Sequence, residues 1–522
     1  MLEKNGLDGL RKSLEREFSS IYVLNLRGAI RGKSSETAKK EGQNVFNILT
    51  GVAITILVKN RDFKGKAKIH YFAVDDYLKR DEKLEFVKQK KSVLNPSLKT
   101  NILNPNESGD WISIRNDKFS NFIPIDAEKK YDVTTHSFFT THSLGVATNK
   151  DYLLYDFSKT NLATKVQKMI SFYNKQRTDY HAQREITKAA SFVKFDKSLI
   201  NWTDMFLKDL ENNIPYSFNT AKLMEGIYRP YCKQRFMYEK QFIQRTYQQT
   251  SLFPETDSKN LMICVTGIGF RKNFDSIITD LIPSLDIVEK AQCFPLYWYK
   301  EDEAFVGGLF DDGKKQHIRH DGVSDFILKR AQEKYGPKVT REDIFYYVYG
   351  ILHSESYRTT FETDLKKTLP RLPLVIEPRK FWDFSKAGRQ LAELHLNYES
   401  VEPCPGVLVS GDDGVHYEVE KMRFPSKGQK DTILYNNRIT IKDIPDKAYE
   451  YVVNGKSAIE WIMERYAVTT DKASGIVNDP NDWAREHNKP RYILDLLLSV
   501  INVSIQTVDI VKLLPEVEWD KE

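Results

Sequence analysis

Short apolar runs separated by polar loops fill the first 75 positions. IYVLNL (21–26), VFNILTGVAITILVK (45–59) and KIHYFAV (68–74) are strand candidates, and residues 6–18 carry leucines at helical spacing. Short runs that are apolar throughout are typical of strands buried on both faces of an α/β sheet. The strand that should precede the first helix of such a sheet is not found. We therefore predict an incomplete, Rossmann-like sheet in this region.

The chain has 522 residues, which at about 150 residues per domain suggests two to four domains. Residues 1–150 hold this sheet, with weaker strand signals at WISI and SFFTTHSLGVAT. Residues 151–215 are amphipathic and helical, as in LATKVQKMISFYNKQ. Residues 216–522 mix strand candidates (LMICVTG, FPLYWY) with helix candidates (IFYYVYGILHS, AGRQLAELHLNY). The predicted fold class is α/β and α+β, multidomain: an incomplete sheet, a helical spacer and a mixed α/β domain.

Membrane and metal sites are not expected. No stretch approaches the roughly 18–20 consecutive apolar residues of a membrane span, and the charged first thirty residues are unlike a signal peptide. We therefore expect a cytoplasmic protein. The four cysteines are far apart, and His136 with His142 and His317 with His320 have no cysteine or carboxylate partner at a ligand spacing. We expect inert thiols and structural or exposed histidines.

Basic residues are concentrated in three segments. The chain has a net charge of +6, but residues 1–71, 159–197 and 221–250 have net charges of +7, +6 and +4, which leaves −11 for the remainder. Such segregation favours contact with phosphate backbones at a few places. For residues 159–197, an ordinary solvated helix face is an equally good interpretation.

The glycine motif VTGIGF (265–270) resembles a nucleotide-binding loop only weakly. It lacks a third glycine, and neither a following helix nor a ribose-binding acidic residue is evident. A tight turn between strands is the preferred interpretation. No G-x-x-x-x-G-K-[ST] loop, nucleophile elbow or paired-carboxylate signature is present, so the sequence predicts no complete catalytic centre.

Cationic and aromatic residues are interleaved in residues 226–250, GIYRPYCKQRFMYEKQFIQRTYQQT. Guanidinium groups match phosphates and guanine edges, and aromatic rings stack on bases, so the pattern suits nucleic acid. The alternative is a pair of strands with core aromatics and solvated cations. The candidate DNA contacts here and after the glycine motif are Arg229, Lys233, Arg235, Arg245, Arg271 and Lys272.

Longer segments of the chain resemble the type ISP restriction-modification enzymes. DGLRKSLEREFSSIYVLNLRGAIRG with EGQNVFNILTGVAITILVK resembles the part just downstream of their methyltransferase catalytic motif. Co-linear matches follow: LGVATNKDYLLYDFS, GIYRPYCKQRFMYEK, MICVTGIGFRKNF, QCFPLYWY, DIFYYVYGILHS, LPRLPLV and FWDFSKAGRQLAELHLNYE. Family members are large polypeptides with a nuclease, a helicase-like ATPase, a coupler, an adenine-N6 methyltransferase and a target recognition domain.

The resemblance implies a role for each part of the chain. Residues 1–150 would be the C-terminal portion of the methyltransferase domain, 151–215 the spacer, and 216–522 the target recognition domain. The family's S-adenosylmethionine glycine motif and Asn-Pro-Pro-Tyr motif are not found in this sequence. We therefore expect no catalytic residue and no cofactor in this chain. S-adenosylmethionine, ATP and Mg²⁺ are expected only of the full-length enzyme, with double-stranded DNA and the upstream nuclease, helicase and methyltransferase portion as partners.

The resemblance also suggests contacts in residues 1–150. It places Phe46 near the pocket that receives a flipped base, on which this ring would stack. A core phenylalanine that opens a strand is the alternative. Arg27, Arg31 and Lys33 would lie at the carboxyl end of a strand, where open α/β sheets bind ligands, and contact phosphate.

Sequence-specific recognition of double-stranded DNA, for a type ISP-like enzyme, is the leading hypothesis. A second hypothesis is an adenine-N6 methyltransferase subunit that is completed in trans by a chain with the missing motifs. A third is a non-catalytic RNA-binding or scaffold protein.

Overall fold

The computed structural model describes residues 2–3, 5–30, 35–183, 188–302 and 316–517. These residues form two compact units. Unit 1 contains Met1–Phe122, Ile268–Phe274 and Thr359–Pro370, and unit 2 contains Ile123–Gly267, Asp275–Arg358 and Arg371–Glu522. The three domain ranges inferred from the sequence stay a prediction.

Helices and short strands alternate along the chain. The helices are α1 Asp8–Glu17, α2 Ser35–Glu41, α3 Arg80–Lys90, α4 Asp151–Leu154, α5 Lys159–His181, α6 Ala189–Phe192, α7 Asp204–Glu211, α8 Gln249–Leu252, α9 Asp325–Tyr335, α10 Arg341–His353, α11 Glu355–Thr360, α12 Glu362–Lys367, α13 Pro378–Leu396, α14 Ala458–Arg465, α15 Asn481–Glu486 and α16 Tyr492–Lys512. The strands are β1 Ser20–Asn25, β2 Ala53–Val58, β3 Lys68–Ala73, β4 Asn101–Leu103, β5 Ile123–Pro124, β6 Ser143–Leu144, β7 Tyr155–Asp156, β8 Leu223–Arg229, β9 Cys232–Met237, β10 Met262–Val265, β11 Ser276–Thr279, β12 Ile282–Pro283, β13 Gln292–Pro295, β14 Tyr297–Glu301, β15 His317–Asp321, β16 Arg371–Leu372, β17 Leu408–Ser410, β18 Ile433–Leu434, β19 Thr440–Lys442, β20 Val452–Val453, β21 Lys456–Ser457, β22 Thr469–Thr470 and β23 Val477–Asn478.

Unit 1 contains a mixed four-stranded sheet in the order β2-β1-β3-β4. β1 runs parallel to β3 and antiparallel to β2, while β4 is antiparallel to β3. The strands predicted at 21–26 and 68–74 are confirmed. The 45–59 run is a strand only from Ala53. The WISI segment is not a strand, and its Trp111 is buried, with the indole Nε1 donating to Glu15 Oε1 at 2.7 Å.

β2 is an edge strand whose apolar side chains stay accessible. Ile54 and Ile56 are 39% and 41% exposed, and Leu57 and Val58 are similar. In contrast, Ile21 on β1 and Ile69 on β3 are fully buried. An exposed, apolar edge strand is a ready site for pairing with another strand.

A buried ionic cluster stabilises unit 1 beside this sheet. Asp110, 1% exposed, lies 2.8 Å from Arg115 Nε and 2.8 Å from Lys367 Nζ. Arg11 is also 1% exposed, and its Nε donates to the carbonyl of Gly109 at 2.6 Å. Since an unpaired charge is costly to bury, these groups must be kept in contact for the unit to fold.

Unit 2 contains two four-stranded sheets, in the orders β11-β10-β13-β6 and β12-β8-β9-β7. Every residue of β10 and β11 is buried. Smaller sheets are formed by β14-β15, β16-β5, β17-β19-β18, β20-β21 and β22-β23. The SFFTTHSLGVAT segment contributes only the two residues of β6, since most of its hydrogen bonds are made in isolated bridges, such as Phe139 with Val323.

Two glycines allow helices α10 and α13 to cross closely. A Cβ on Gly388 would lie 1.9 Å from the carbonyl oxygen of Tyr346, and one on Gly350 would lie 2.3 Å from that of Phe384. Thr340 begins α10 with a capping box to Asp343, which satisfies backbone donors of its first turn. Both helices were predicted from the sequence and are confirmed.

Within the described residues, α16 is long and apolar enough to cross a membrane by length and composition, but 67% of its most apolar stretch is buried inside the protein. Leu494, Leu497 and Ile501 belong to the apolar core of unit 2. A buried core helix passes the same test of length and hydropathy. The fold as a whole is mixed α/β and multidomain, as predicted.

Candidate nucleic-acid interface

The loops at the carboxyl end of β1 hold Arg27 in a defined position. Arg27 has a positive φ of 56°, and the next residue, Gly28, has a φ of 82°. The Arg27 Nη1 group donates to Asp76 Oδ1 at 2.5 Å, and the side chain is 27% exposed. This cation therefore lies where it was predicted, after a strand, but with a carboxylate partner. Arg31 and Lys33 lie outside the described residues.

Phe46 protrudes from a loop that is fixed by Asn44. The Asn44 amide donates to the carbonyls of Gly28 at 3.1 Å and Thr50 at 2.7 Å, and its Oδ1 accepts from the Phe46 backbone N–H at 2.9 Å. Phe46 is 68% exposed, whereas its neighbour Val45 is 3% exposed. The alternative of a core phenylalanine therefore does not apply, and the ring is accessible for stacking.

The 226–250 segment forms the predicted strand pair, β8 with β9, and its aromatic side chains are mostly core. Tyr231, Phe236, Tyr238 and Phe242 are all buried in unit 2. Phe236 stacks on Tyr155, with ring centroids 4.4 Å apart. This packing agrees with the alternative interpretation, in which the aromatic side chains of this segment belong to the core.

Arg229 is held inside unit 2 by several partners. Its Nη1 donates to the Ser284 hydroxyl at 2.9 Å, and its Nη2 lies 3.7 Å from Asp151 and 3.9 Å from Asp286. The guanidinium carbon lies 3.9 Å from the centroid of the Tyr228 ring, and the side chain is 14% exposed. To contact a phosphate, this arginine would have to give up some of these contacts.

Lys233 and Arg235 also have internal partners. Lys233 Nζ donates to Glu399 Oε2 at 2.8 Å. Arg235 lies 3.7 Å from Glu225 and 3.2 Å from His487 Nε2. Their side chains are 19% and 23% exposed, so both lie at the border of the core.

Arg245 differs from these three cations. Its residue is exposed, and its backbone forms a two-way bridge with Ala147, with both N···O distances 3.0 Å. No ion pair of its side chain occurs in the described part of the chain. Tyr247, 37% exposed with a φ of 51°, follows two residues later. Arg245 is thus a fixed backbone position with an accessible guanidinium.

The VTGIGF motif is a connection between two antiparallel strands, β10 and β11, as the preferred interpretation predicted. Thr266 N donates to the Asp275 carbonyl at 3.0 Å and closes this connection. A Cβ on Gly267 would lie 2.3 Å from the Lys290 carbonyl oxygen, which explains the glycine. Arg271 and Lys272 are exposed on the same connection.

A two-stranded ribbon, β14 with β15, was not singled out as a binding element from the sequence. Arg319 lies with its guanidinium carbon 4.3 Å from the centroid of the Tyr297 ring, and Ile318 is 47% exposed. A two-stranded ribbon is narrow enough to enter the major groove of DNA. The signal in the sequence is the pair of short segments YWYK and HIRH, which combine aromatic and basic residues.

Two adjoining cavities of about 570 and 500 Å³ open on the surface of the C-terminal part of unit 2. Asn436, Asn437 and Arg485 line both, and Lys421 and Arg423 line the larger one. Asparagine amides and guanidinium groups can read base edges. However, the Asn436 amide donates to the carbonyls of His416 and Glu418, and Arg485 is paired with three carboxylates. The sequence signal for this groove is the Asn-Asn-Arg turn in YNNR.

The described residues contain no group of three or more His, Cys, Asp or Glu side chains that could hold a metal ion. Cys264 and Cys293 are buried on neighbouring strands with their Sγ atoms 3.5 Å apart. Burial raises the pKa of the Cys264 thiol well above its ordinary value, so this sulfur is unreactive at neutral pH.

Comparison with known proteins gives consistent results. The model of the Type ISP C-terminal specificity domain matches residues 137–496. A solved structure of the ATP-dependent Type ISP restriction-modification enzyme LlaBIII bound to DNA is 37% identical, with a TM-score of 0.85 over 99% of this chain and 32% of that chain. A nuclease-deletion mutant of the Type ISP enzyme LlaGI, in complex with a DNA substrate mimic, is 36% identical, with a TM-score of 0.83 over 100% of this chain and 46% of that chain.

A third structure, a DrdV–DNA complex, is 29% identical, with a TM-score of 0.79 over 99% of this chain and 50% of that chain. No match is found among curated proteins. The chain thus spans 32–50% of the length of these solved relatives. Since the family model covers more than half of its residues, the chain belongs to the family of Type ISP C-terminal specificity domains.

Proposed function

We propose that this chain recognises a specific sequence in double-stranded DNA, as the C-terminal methyltransferase and specificity portion of a type ISP-like restriction-modification enzyme. The observation that carries the proposal is the specificity-domain match over residues 137–496, supported by similarity over nearly the whole chain to three DNA complexes. The expected location is the cytoplasm, where such an enzyme meets DNA.

Base readout requires side chains that reach groove edges, and phosphate contacts fix the register of the protein on the duplex. Accessible groups of both kinds occur in unit 2. Arg319 on the β14-β15 ribbon presents a guanidinium group at an exposed position. Asn437, which lines the two cavities in the C-terminal part of unit 2, presents an exposed amide. Arg245 is an accessible cation on a fixed backbone, suited to a phosphate.

Selection from a randomised duplex library tests the proposal directly. The purified chain is expected to enrich one short sequence, at a stated salt concentration, over scrambled duplex and over RNA of equal length. Equal binding to all three would leave only a sequence-independent electrostatic attraction. That result would favour the third hypothesis, a non-catalytic RNA-binding or scaffold protein.

Substitution of Arg245 tests one contact within this proposal. If its guanidinium binds phosphate, Arg245→Ala should weaken binding to every duplex alike and reduce the salt slope by about one. Arg379→Ala is the matched control, since Arg379 is 89% exposed on α13 and the change in charge is the same. Equal weakening by both variants would exclude a specific role for Arg245. A base reader such as Arg319 should instead lose about 1–3 kcal/mol of discrimination at one base position.

We also propose that unit 1 is the end of a methyltransferase sheet. The support is physical: among the described residues β2 is at the edge of its sheet, and its apolar residues Ile54 and Ile56 are about 40% exposed, as expected of a strand that normally has a further neighbour. Phe46 and Arg27 lie at the same end of this sheet, at the carboxyl end of β1. Stacking of Phe46 on a base that leaves the duplex is consistent with its exposure.

If unit 1 is the end of a methyltransferase sheet, methyl transfer requires the rest of the methyltransferase domain. S-adenosylmethionine, ATP and Mg²⁺ are proposed as cofactors of the full-length enzyme only. S-adenosylmethionine alone should therefore not raise the melting temperature of the chain. Clear stabilisation by this cofactor would contradict the assignment.

The second hypothesis, completion in trans, is favoured by the same β2 edge. A separately expressed polypeptide that carries the glycine and Asn-Pro-Pro-Tyr motifs should bind the chain and restore methyl transfer to DNA. Ile56→Lys, which places a charge on the β2 edge, should abolish this association while leaving duplex selection unchanged. Association that is insensitive to this substitution would place the contact elsewhere.

A further inference from the structure

Three lysines are buried in the part of the chain that the structure describes, and two of them meet an oxygen atom. Lys83 Nζ donates to the Glu41 carbonyl at 2.8 Å, and Lys367 Nζ lies 2.8 Å from Asp110 Oδ1. Lys150 is 1% exposed, and its inaccessible Nζ has no hydrogen-bond partner within the described residues. Lys150 is thus an exception to the rule that buried ammonium groups are paired.

The ammonium group of Lys150 faces an aromatic ring on α7. Its Nζ lies 3.7 Å from the centroid of the Phe206 ring, and Phe206 is fully buried. Lys150 immediately precedes α4, and the Asn149 carbonyl beside it accepts from the Asn201 amide at 2.8 Å. Helix α7 and the loop before it therefore cover Lys150, and this side chain reaches solvent when α7 moves away.

Burial makes the proton on Lys150 unfavourable. The face of an aromatic ring attracts a cation, but it does not accept a hydrogen bond as a carboxylate or carbonyl oxygen does. Burial lowers the pKa of the Lys150 ammonium from its ordinary value of 10.5 to about 7. In solvent the group regains its ordinary pKa. A bound proton therefore favours any state in which Lys150 is exposed.

Charged groups on the surrounding elements do not compensate for this burial, which is the cause of the lowered pKa. Beside Lys150, Asp151 lies 3.7 Å from the Arg229 guanidinium. On α7, Asp209 accepts from the Tyr216 hydroxyl at 2.8 Å. The other charged or titratable groups on α7, on the loop before it and on the adjoining part of α5 are exposed or have partners elsewhere: Lys165, Tyr173, His181, Lys194, Asp196, Lys197, Asp204, Lys208 and Glu211.

We propose that the packing of α7 over Lys150 is a pH-dependent latch, which uptake of a proton by this side chain opens. Between about pH 7 and pH 10.5, Lys150 is neutral when the latch is closed and charged when it is open. Opening then takes up a proton, so a rise in pH within this range disfavours opening. Below about pH 7 the ammonium is charged in both states, and the latch is at its weakest. The latch does not depend on the proposed DNA recognition.

Hydrogen exchange of the α7 amides, on the full chain, measures opening of the latch. After correction for the intrinsic exchange rate, the opening equilibrium of residues 204–211 should fall by up to about tenfold per pH unit between pH 7 and pH 9. An opening equilibrium that stays constant over this range overturns the proposal.

Lys150→Met is the decisive variant, because methionine keeps most of the length of the lysine side chain and carries no proton. Opening of α7 at pH 7 should become at least about tenfold rarer, and its dependence on pH between 7 and 9 should be lost. His181, which contacts the Leu210 carbonyl at 2.8 Å, contributes equally in both proteins and cancels in this comparison. An unchanged dependence on pH in the variant overturns the proposal. If the variant does not fold, the wild-type series alone decides.

Lys165→Met is the matched control. The Lys165 side chain is 13% exposed, but its Nζ lies 2.6 Å from Asp156 Oδ2 and donates to the carbonyls of Tyr152 and Tyr155. Since this variant leaves Asp156 without its cation, the melting temperature should fall, while the pH dependence of α7 opening should persist. Loss of this dependence in both variants would indicate a general structural effect and overturn the assignment to Lys150. Duplex selection is a separate measurement, so failure of the latch is distinguished from failure of the proposed DNA recognition.

Discussion

Unit 1 and unit 2 bury different chemistry around their strands. In unit 2, all residues of β10 and β11 are buried in an apolar interior. In unit 1, the apolar clusters are small, a charged cluster around Asp110 is buried, and the apolar edge of β2 stays exposed. Unit 2 therefore buries its apolar residues within its own core, whereas unit 1 keeps an apolar surface that suits a further strand.

The largest effect should come from the charged cluster of unit 1. Asp110→Asn removes the buried carboxylate that pairs with Arg11, Arg115 and Lys367, and should lower the free energy of unfolding of unit 1 by about 3–5 kcal/mol. Native-state hydrogen exchange of the amides of β1 and β3 measures this loss. A loss below about 1 kcal/mol would mean that unit 1 is held together by its apolar clusters, like unit 2.

The same carboxylate predicts an acid transition. Burial alone would raise the pKa of Asp110, but hydrogen bonds from Arg115, Lys367 and Asn106 outweigh it and hold the pKa far below its ordinary value. The ordinary, unfolded value is about 3.9, so the stabilisation is complete above that pH and is lost as pH falls through the lower, folded pKa. Melting temperatures between pH 6 and pH 2 should therefore fall more steeply in the wild type than in Asp110→Asn. The control is Glu17→Gln, which removes one member of an exposed ion pair with Lys59 and should follow the wild type.

The next largest effect on stability is expected where helices α10 and α13 cross in unit 2. Gly388→Ala would place a Cβ against the Tyr346 carbonyl and force α10 and α13 apart, at a cost of about 3 kcal/mol. The matched control is Gly9→Ala on α1, where no atom lies within 4 Å of the added Cβ. That variant should keep or raise stability by up to about 1 kcal/mol. Equal, small effects in calorimetry would show that the α10-α13 interface is not tightly packed.

The smallest effect compares two strands directly. Ile263→Val on β10 removes a fully buried methyl group and should cost about 0.5–1.5 kcal/mol. Ile56→Val on β2 makes the same change at a side chain that is 41% exposed, and should cost less than about 0.5 kcal/mol. If Ile56→Val were as costly as Ile263→Val, β2 would be covered in solution, for example by a second copy of the chain.

Much of the secondary structure was predictable because it depends on local patterns. β1, β3, α10 and α13 were identified from apolar runs and helical periodicity. The WISI segment was not, because Trp111 is buried by a long-range contact to Glu15 that no local pattern contains. The strand predicted from Val45 begins at Ala53, since Asn44 holds the intervening residues in a loop.

The candidate site was less predictable than the fold. The basic and aromatic composition of the 226–250 segment suggested accessible cations, but the partners of Arg229 come from residues 151, 284 and 286. Lys233 likewise meets Glu399, 166 positions away. Composition reports which groups are present, whereas accessibility depends on distant carboxylates that only the folded chain brings together. Four of the predicted contacts have an exposure that agrees with the proposed role: Phe46, Arg245, Arg271 and Lys272.

The loop that carries Phe46 lowers the entropic cost of stacking on this ring. Asn44 joins both sides of the loop through Gly28 and Thr50, so the backbone there is ordered by folding itself. A partner that stacks on Phe46 then has to restrict only the torsions of one aromatic side chain, and not a mobile segment. Replacement of Asn44 would consequently weaken such stacking through conformational entropy, without altering the ring that makes the contact.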